Sequence, residues 1–93
     1  MKVWITKYAL TTGIQEADDA EISSHFPSMI NVKSLGPFAS FHGEGKEWHR
    51  TRQAAVEMAN TMRLKKIAAL QKQIAALLKY NPSDDASMQA NGM

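Results

Sequence analysis

Residues 52–79 read RQAAVEMANTMRLKKIAALQKQIAALLK, and this stretch decides the predicted fold because neither proline nor glycine interrupts it. Thr51 precedes it, and a threonine hydroxyl at that position can accept a hydrogen bond from a free backbone N–H three residues on. We therefore predict a helix from Arg52 to about Lys79. At 1.5 Å per residue such a helix is roughly 40 Å long, which is longer than a small sheet is wide. We therefore expect the two halves of the helix to have different roles.

The two halves of the predicted helix carry different apolar patterns. The first half has one apolar stripe that suits packing across a sheet. The stripe consists of Ala55, Met58, Ala59 and Met62. In the second half, apolar residues alternate at spacings of three and four, which is typical of the seam of a short coiled coil. The seam consists of Ile67, Leu70, Ile74 and Leu77. Asn60 and Arg63 interrupt it upstream, so the second half predicts a homodimer, with parallel and antiparallel pairing both open.

The chain before the helix has the pattern of strands. Residues 2–10, KVWITKYAL, are rich in β-branched and aromatic types and alternate in side-chain character, which predicts a strand. After a turn at residues 11–13, residues 14–22 are predicted to return as the second strand of a hairpin, with a helix as the alternative. Residues 29–33 predict a short third strand. Residues 38–42 and 46–50 flank a Gly-Glu-Gly turn and predict a second hairpin.

These elements predict an α+β fold with a small antiparallel sheet of four to five strands followed by one long C-terminal helix. Residues 1–80 are expected to form a single domain, with the sheet in residues 2–50 and the helix in residues 52–79. The Asn81-Pro82 pair ends the helical pattern, and residues 81–93 are expected to be a disordered tail.

Composition narrows the classes of function. A chain of 93 residues that is 44% hydrophobic and 22% charged fits one small folded domain, which leaves little room for a deep active site. Without cysteine, neither a disulfide nor a thiolate metal site can form. We therefore expect no catalytic activity and no cofactor. The apolar runs are short and the N-terminus has the pattern of a strand, so we expect a cytoplasmic protein that does not enter a membrane.

The chain contains residue types that catalytic sites and metal sites use, but their spacing favours neither kind of site. His42, Glu44 and His49 are ligand types that zinc or iron uses, yet they flank one predicted turn, with the histidines on opposite arms. Ser23 and His25 lie near acidic residues, but no spacing implies a catalytic triad, and neither a nucleophile-elbow nor a phosphate-loop motif is present. A plain solvated turn is the favoured interpretation of the histidine region.

Five aromatic residues lie at strand spacing and allow two interpretations. They are Trp4, Tyr8, Phe38, Phe41 and Trp48. Aromatic residues in this pattern mostly form core beneath a helix, and we predict core for most of them. The alternative is a platform on an open face of the sheet, where nucleic-acid bases stack.

The charges are distributed unevenly along the chain. Four carboxylates fall within six residues of the predicted first hairpin, at Glu16, Asp18, Asp19 and Glu21. They suit contact with a basic groove on a nucleic-acid-handling protein, or they protect an edge strand from aggregation. The predicted helix is basic, and its candidate phosphate-binding residues are Arg63, Lys65, Lys66 and Lys72. The alternative for these cations is a solvated face beside the apolar seam.

Three stretches resemble a group of small proteins encoded in phages and prophages. They are MKVWITKYALTTGI at residues 1–14, FHGEGKEWHRTRQAA at residues 41–55 and MRLKKIAALQKQIAALLKY at residues 62–80. The resemblance covers about residues 2–80, and residues 41–51 are its most distinctive part. It implies an accessory role in the contest between phage and host, including inhibition of bacterial defence systems such as CRISPR-Cas. It brings no catalytic residues with it.

Together these observations lead to three hypotheses. The first is a non-catalytic phage-type accessory protein that binds and blocks a host protein, such as a nucleic-acid-handling defence complex. In this hypothesis the acidic hairpin mimics nucleic-acid charge and the seam forms a homodimer. The second is a small nucleic-acid-binding protein that uses the basic helix. The third is a purely structural dimerisation module.

Overall fold

The structure, a computed structural model, describes residues 1–83 and shows an α+β fold. It has small antiparallel sheets followed by one long C-terminal helix, so the predicted fold class is confirmed. The strand count differs, because six short strands form two three-stranded sheets instead of one sheet of four to five strands. Of the tail predicted at residues 81–93, residues 81–83 are exposed and residues 84–93 lie outside the described part.

The elements follow one another with short connections. In chain order they are β1 (Val3–Ile5), α1 (Ala9–Thr12), β2 (Gln15–Ala17), β3 (Glu21–Ile22), β4 (Met29–Asn31), a 3-10 helix (Lys33–Leu35), β5 (Ser40–His42), β6 (Trp48–His49) and α2 (Arg52–Lys79). The first sheet has the order β2-β1-β6 and the second has the order β3-β4-β5, and all neighbours are antiparallel.

The two sheets share one apolar core. Its buried members are Val3, Ile5, Ala17, Ala20, Ile30, Val32, Phe41 and Trp48. Cross-strand partners lie on the same face of a sheet, and Ile5 is the partner of Trp48. The core side of the first sheet therefore faces the second sheet. The indole N–H of Trp48 also donates to the Ser28 carbonyl at 2.9 Å, which ties β6 to the chain just before β4.

Helix α2 covers the opposite face of the first sheet. Successive strand residues point to opposite faces, so Trp4 and its partner His49 lie on the side away from the shared core. Helix α2 contacts both β1 and β6, and His49 lies beside Ala54 and Met58 of the helix. The first sheet is thus the middle layer, between the second sheet and the start of α2.

Two predicted strands are shorter than their sequence patterns. In residues 2–10 only Val3–Ile5 is a strand, and Ala9–Thr12 forms a helical turn. The hydroxyls of Thr11 and Thr12 both donate to the Tyr8 carbonyl, which stabilises that turn locally. The strand predicted at residues 14–22 is two strands in different sheets, separated by Asp18–Ala20. Asp is a poor strand former, and the chain crosses between the sheets at that point.

The predicted second hairpin is wrong, although its residues do form strands. β5 pairs with β4 in the second sheet, whereas β6 pairs with β1 in the first. The turn between them contains Gly43 and Gly45, both with positive φ, and it carries the chain from one sheet to the other. β6 pairs with the edge of β1 that β2 leaves open. Just beyond this pair, the Thr6 N–H donates to the Glu47 carbonyl at 2.9 Å.

The long helix has the predicted bounds and cap. It spans Arg52–Lys79, and the Thr51 hydroxyl accepts from the Ala54 N–H at 3.2 Å. Ala55 is buried, and the other three residues of the predicted packing stripe are half-buried. From Arg63 to Lys79 every residue is exposed. We call residues 1–62 the head and residues 63–79 the projecting segment.

The projecting segment gives the molecule an elongated outline. The extents are 64 × 27 × 20 Å and the radius of gyration is 20.8 Å. A compact chain of this length has a radius of gyration of about 12 Å. Within residues 1–83, no helix is both long enough and apolar enough to cross a membrane.

Candidate functional site

The apolar seam of the projecting segment is exposed along its whole length. At about 100° per residue, the four predicted seam residues fall within about 80° of the helix circumference. Their exposed fractions run from 39% at Ile67 to 72% at Leu77. Leu64 and Leu78 widen the same apolar face on one side and are 53% and 81% exposed. Within the described residues nothing covers this face, which leaves a contiguous exposed apolar patch.

The basic residues of the projecting segment do not form one patch. Lys65 and Lys72 are seven residues apart and lie, together with Lys79, on the side of the helix opposite the seam. Lys66 flanks the seam. Arg63 lies on the seam side, where its guanidinium donates to the Asn60 side-chain oxygen at 2.8 and 3.2 Å. None of the ion pairs found within residues 1–83 involves a cation of this segment.

The four predicted acidic residues lie on different elements and are partly engaged within the head. Glu16 on β2 pairs with Lys2 at 2.6 Å, and Asp18 lies 4.0 Å from the same ammonium. The hydrogen bond and charge of Glu16 raise the pKa of Lys2. Glu21 is exposed on β3, in the other sheet. The acidic residues therefore do not share one hairpin, and their charge is partly neutralised.

Asp19 joins the connection between the sheets to the 3-10 helix. Its carboxylate accepts from the Ser34 N–H at 2.8 Å and from the Ser34 hydroxyl at 2.7 Å. Both bonds lower the pKa of Asp19, and the bond from the Ser34 hydroxyl has the larger effect. The side chain thus holds the fold together locally, as well as adding negative charge.

An aromatic groove on the head was missed by sequence analysis. It has a volume of about 370 Å³ and its lining includes Lys7, Tyr8, Leu35, Phe38 and Phe41. Phe38 is 94% exposed, and the Lys7 ammonium lies 5.6 Å from the centre of the Tyr8 ring. The prediction of core is confirmed for Phe41 and Trp48 but is wrong for Tyr8 and Phe38. The Gly36-Pro37 pair before Phe38 was the available signal, because it marks a loop.

The histidines have separate surroundings. His42 is exposed, whereas His49 is buried and its Nε2 lies 2.9 Å from the Thr6 hydroxyl. That hydroxyl donates to the Lys46 carbonyl at 2.8 Å, and burial lowers the pKa of His49. Within residues 1–83, no three His, Asp or Glu side chains are grouped to hold a metal ion. The Ser23 hydroxyl accepts from the backbone N–H groups of His25 and Phe26 in a local turn.

The chain matches no protein-family model, no curated protein and no solved structure. Three surfaces therefore bear on its function. They are the seam, the basic face that Lys65, Lys72 and Lys79 form on the opposite side of the helix, and the head with its acidic residues and aromatic groove.

Proposed function

We propose that this protein is a non-catalytic binding protein that acts as a homodimer, in which the projecting segments pair and the heads occupy and block a surface of a host protein. The observation that carries the proposal is the exposed seam on residues 63–79. An apolar stripe in heptad spacing, on a helix that extends beyond its own domain, suits a second helix better than it suits water.

The size of the seam is consistent with a dimer. Fully burying one Leu or Ile side chain stabilises by roughly 1.5–3 kcal/mol, and each copy contributes six such side chains, all now partly exposed. Association costs about 4–15 kcal/mol in lost freedom. The free energy gained by burying these side chains can therefore exceed the cost of association, and we expect a dimer that forms in a concentration-dependent manner.

The dimer is tested with a seam variant and a matched control. Ile74→Gln places an amide in the seam and is expected to raise the dimer dissociation constant at least about tenfold, which corresponds to about 1.4 kcal/mol. Lys72→Gln, on the opposite side of the same helix, is expected to leave it unchanged. Sedimentation velocity over a range of concentrations measures both. Equal dissociation constants for the two variants would show that the seam does not pair the copies.

The proposed partner is a host protein, and the resemblance to phage accessory proteins supports a role in blocking a defence system such as CRISPR-Cas. The head offers two surfaces for this contact. One is the exposed carboxylates of Asp18 and Glu21, which would mimic nucleic-acid charge. The other is the aromatic groove, where Phe38 has the exposure and ring size of an interface anchor.

The partner is tested by affinity purification from bacterial lysate with nuclease added to half of each sample. The protein is expected to retain one host complex after nuclease treatment. Phe38→Ala is expected to lower that recovery, whereas Phe26→Ala, which removes another exposed ring outside the groove, is the matched control. Recovery of no specific protein would contradict the proposal.

A second candidate function is nucleic-acid binding through the basic face of the projecting segment. The observation in its favour is the seven-residue spacing of Lys65, Lys72 and Lys79, which keeps three ammonium groups on one side of the helix. Titration with duplex and single-stranded DNA at two salt concentrations is the test. Changing all three lysines to Gln is expected to weaken binding, while changing Lys33 and Lys46 of the head is the control. Absence of binding at low salt would remove this candidate.

A further inference from the structure

The direction of helix pairing follows from the residues that flank the seam. We propose that the second copy lies antiparallel on the seam, so that Leu70 of one copy packs on Ile74 of the other, and Ile67 packs on Leu77. This inference rests on the homodimer proposed above and adds its direction and register. In this register the two-fold axis passes level with Lys72.

The first reason is the position of two exposed leucines. Leu64, Gln71 and Leu78 are spaced by seven along one flank of the seam. In an antiparallel pair like flanks meet, so Leu64 of one copy faces Leu78 of the other. In a parallel pair the opposite flanks meet, and Leu78 would face Gln73 instead. Only the antiparallel pair covers these leucines, which are 53% and 81% exposed, with each other.

The second reason is the charge at the upstream end of the seam. Arg63 occupies the next seam position before Ile67, and its guanidinium is exposed. A parallel pair would place the two Arg63 side chains against each other. An antiparallel pair places each of them level with the end of the partner helix, near Tyr80, where the helix carries partial negative charge. Antiparallel pairing also aligns the two helix dipoles favourably.

The third reason is that the head leaves the seam accessible. The helix residues that pack α2 on the head, which include the buried Ala55, are centred about 110° around the helix from the seam. A second helix can therefore run beside the projecting segment without displacing the first sheet. In the antiparallel pair the two heads lie at opposite ends, about 50 Å apart along the helix axis. Each aromatic groove is then presented separately.

Single-cysteine variants test the direction, because the chain has no cysteine of its own. In the antiparallel register the two Gln71 positions lie within about 3 Å of each other along the axis, and the two Arg63 positions are about 27 Å apart. We therefore expect Gln71→Cys to be cross-linked by a short bismaleimide at least about tenfold faster than Arg63→Cys. Neither change removes an apolar seam residue. Sedimentation of each variant shows whether the dimer is intact.

The outcomes distinguish a failure of the antiparallel direction from a failure of the proposed homodimer. Faster cross-linking of Arg63→Cys in an intact dimer would establish parallel pairing and overturn the inference, while the homodimer would stand. A monomer at every concentration for the unmodified protein would overturn both. A second measurement uses spin labels on Gln53→Cys, for which antiparallel pairing gives a separation of about 57 Å along the axis. A short separation between these labels would also overturn the inference.

Discussion

Asp19 illustrates how a charged residue that looks like part of an interaction surface can be needed for the fold. Its two hydrogen bonds to Ser34 fasten the connection between the sheets to the 3-10 helix. We predict that Asp19→Asn lowers the urea midpoint of unfolding at neutral pH, because the amide cannot replace both charge-assisted bonds. Asp18→Asn is the matched control, since among residues 1–83 the Asp18 carboxylate reaches only the Lys2 ammonium, at 4.0 Å. Equal midpoints for the two variants would contradict this role.

The lowered pKa of Asp19 also predicts a pH dependence. The unfolded chain takes up the proton near pH 3.8, and the folded chain does so only at lower pH. The stabilisation by Asp19 is therefore present above about pH 3.8 and is lost as the pH falls through the lowered folded pKa. The free energy of unfolding of Asp19→Asn should fall less steeply below pH 3.8 than that of the unchanged protein.

His49 is expected to make the head sensitive to mildly acidic pH. Burial lowers its pKa below 6.5, so the unfolded chain binds the proton first as the pH falls. Stability is thus full above about pH 6.5 and decreases as the pH falls from 6.5 towards the lower folded pKa. Urea unfolding at several pH values should show this decrease. His42→Gln, which changes an exposed ring, should keep the same dependence, and a flat profile in the unchanged protein would contradict the prediction.

At the scale of single elements, helix α2 was predictable because its signals are local. The cap at Thr51, the absence of proline and glycine, and the apolar spacing all lie within the helix sequence itself. The strands were less predictable. The alternation in residues 2–10 continues past Ile5, but β1 ends there because its neighbours β2 and β6 offer only short stretches to pair with.

The cap of α2 provides a test at this scale. Thr51→Ala removes the acceptor for the Ala54 N–H and is predicted to lower the free energy of unfolding by about 1 kcal/mol. Thr51→Ser keeps the hydroxyl and should restore most of the loss. Thr61→Ala is the matched control within the helix, because the Thr61 hydroxyl donates only to the Glu57 carbonyl one turn earlier. Urea unfolding at a fixed protein concentration compares all three.

At the scale of the whole molecule, the sequence did not reveal how the sheets divide. Pairing of β6 with β1 joins residues more than forty positions apart, and nothing in the pattern of residues 38–50 distinguishes this from a hairpin. The aromatic groove was missed for the same reason, since it is lined by residues from separate parts of the chain. The projecting segment, in contrast, followed directly from the length of the helix.

The separation into head and projecting segment predicts that the head folds without the rest of α2. In the part of the chain that the structure describes, the buried residues all lie within residues 3–55, and none of residues 63–79 is buried. A chain that ends at Lys66 should therefore unfold cooperatively, with a free energy of unfolding within about 1 kcal/mol of that of the full-length monomer. It should also sediment as a monomer at concentrations where the full chain dimerises.

The competing expectation is that so small a head is only marginally stable by itself, since a domain of about 60 residues buries only about 60% of its surface. Loss of cooperative unfolding in the chain ending at Lys66 would show that the head depends on the removed part of α2, either through the continuity of the helix or through pairing of the two copies. The full-length Ile74→Gln variant separates these cases, because it keeps the helix and weakens only the pairing. If that variant retains the stability of the unchanged monomer, the head depends on the continuity of α2 and not on the dimer.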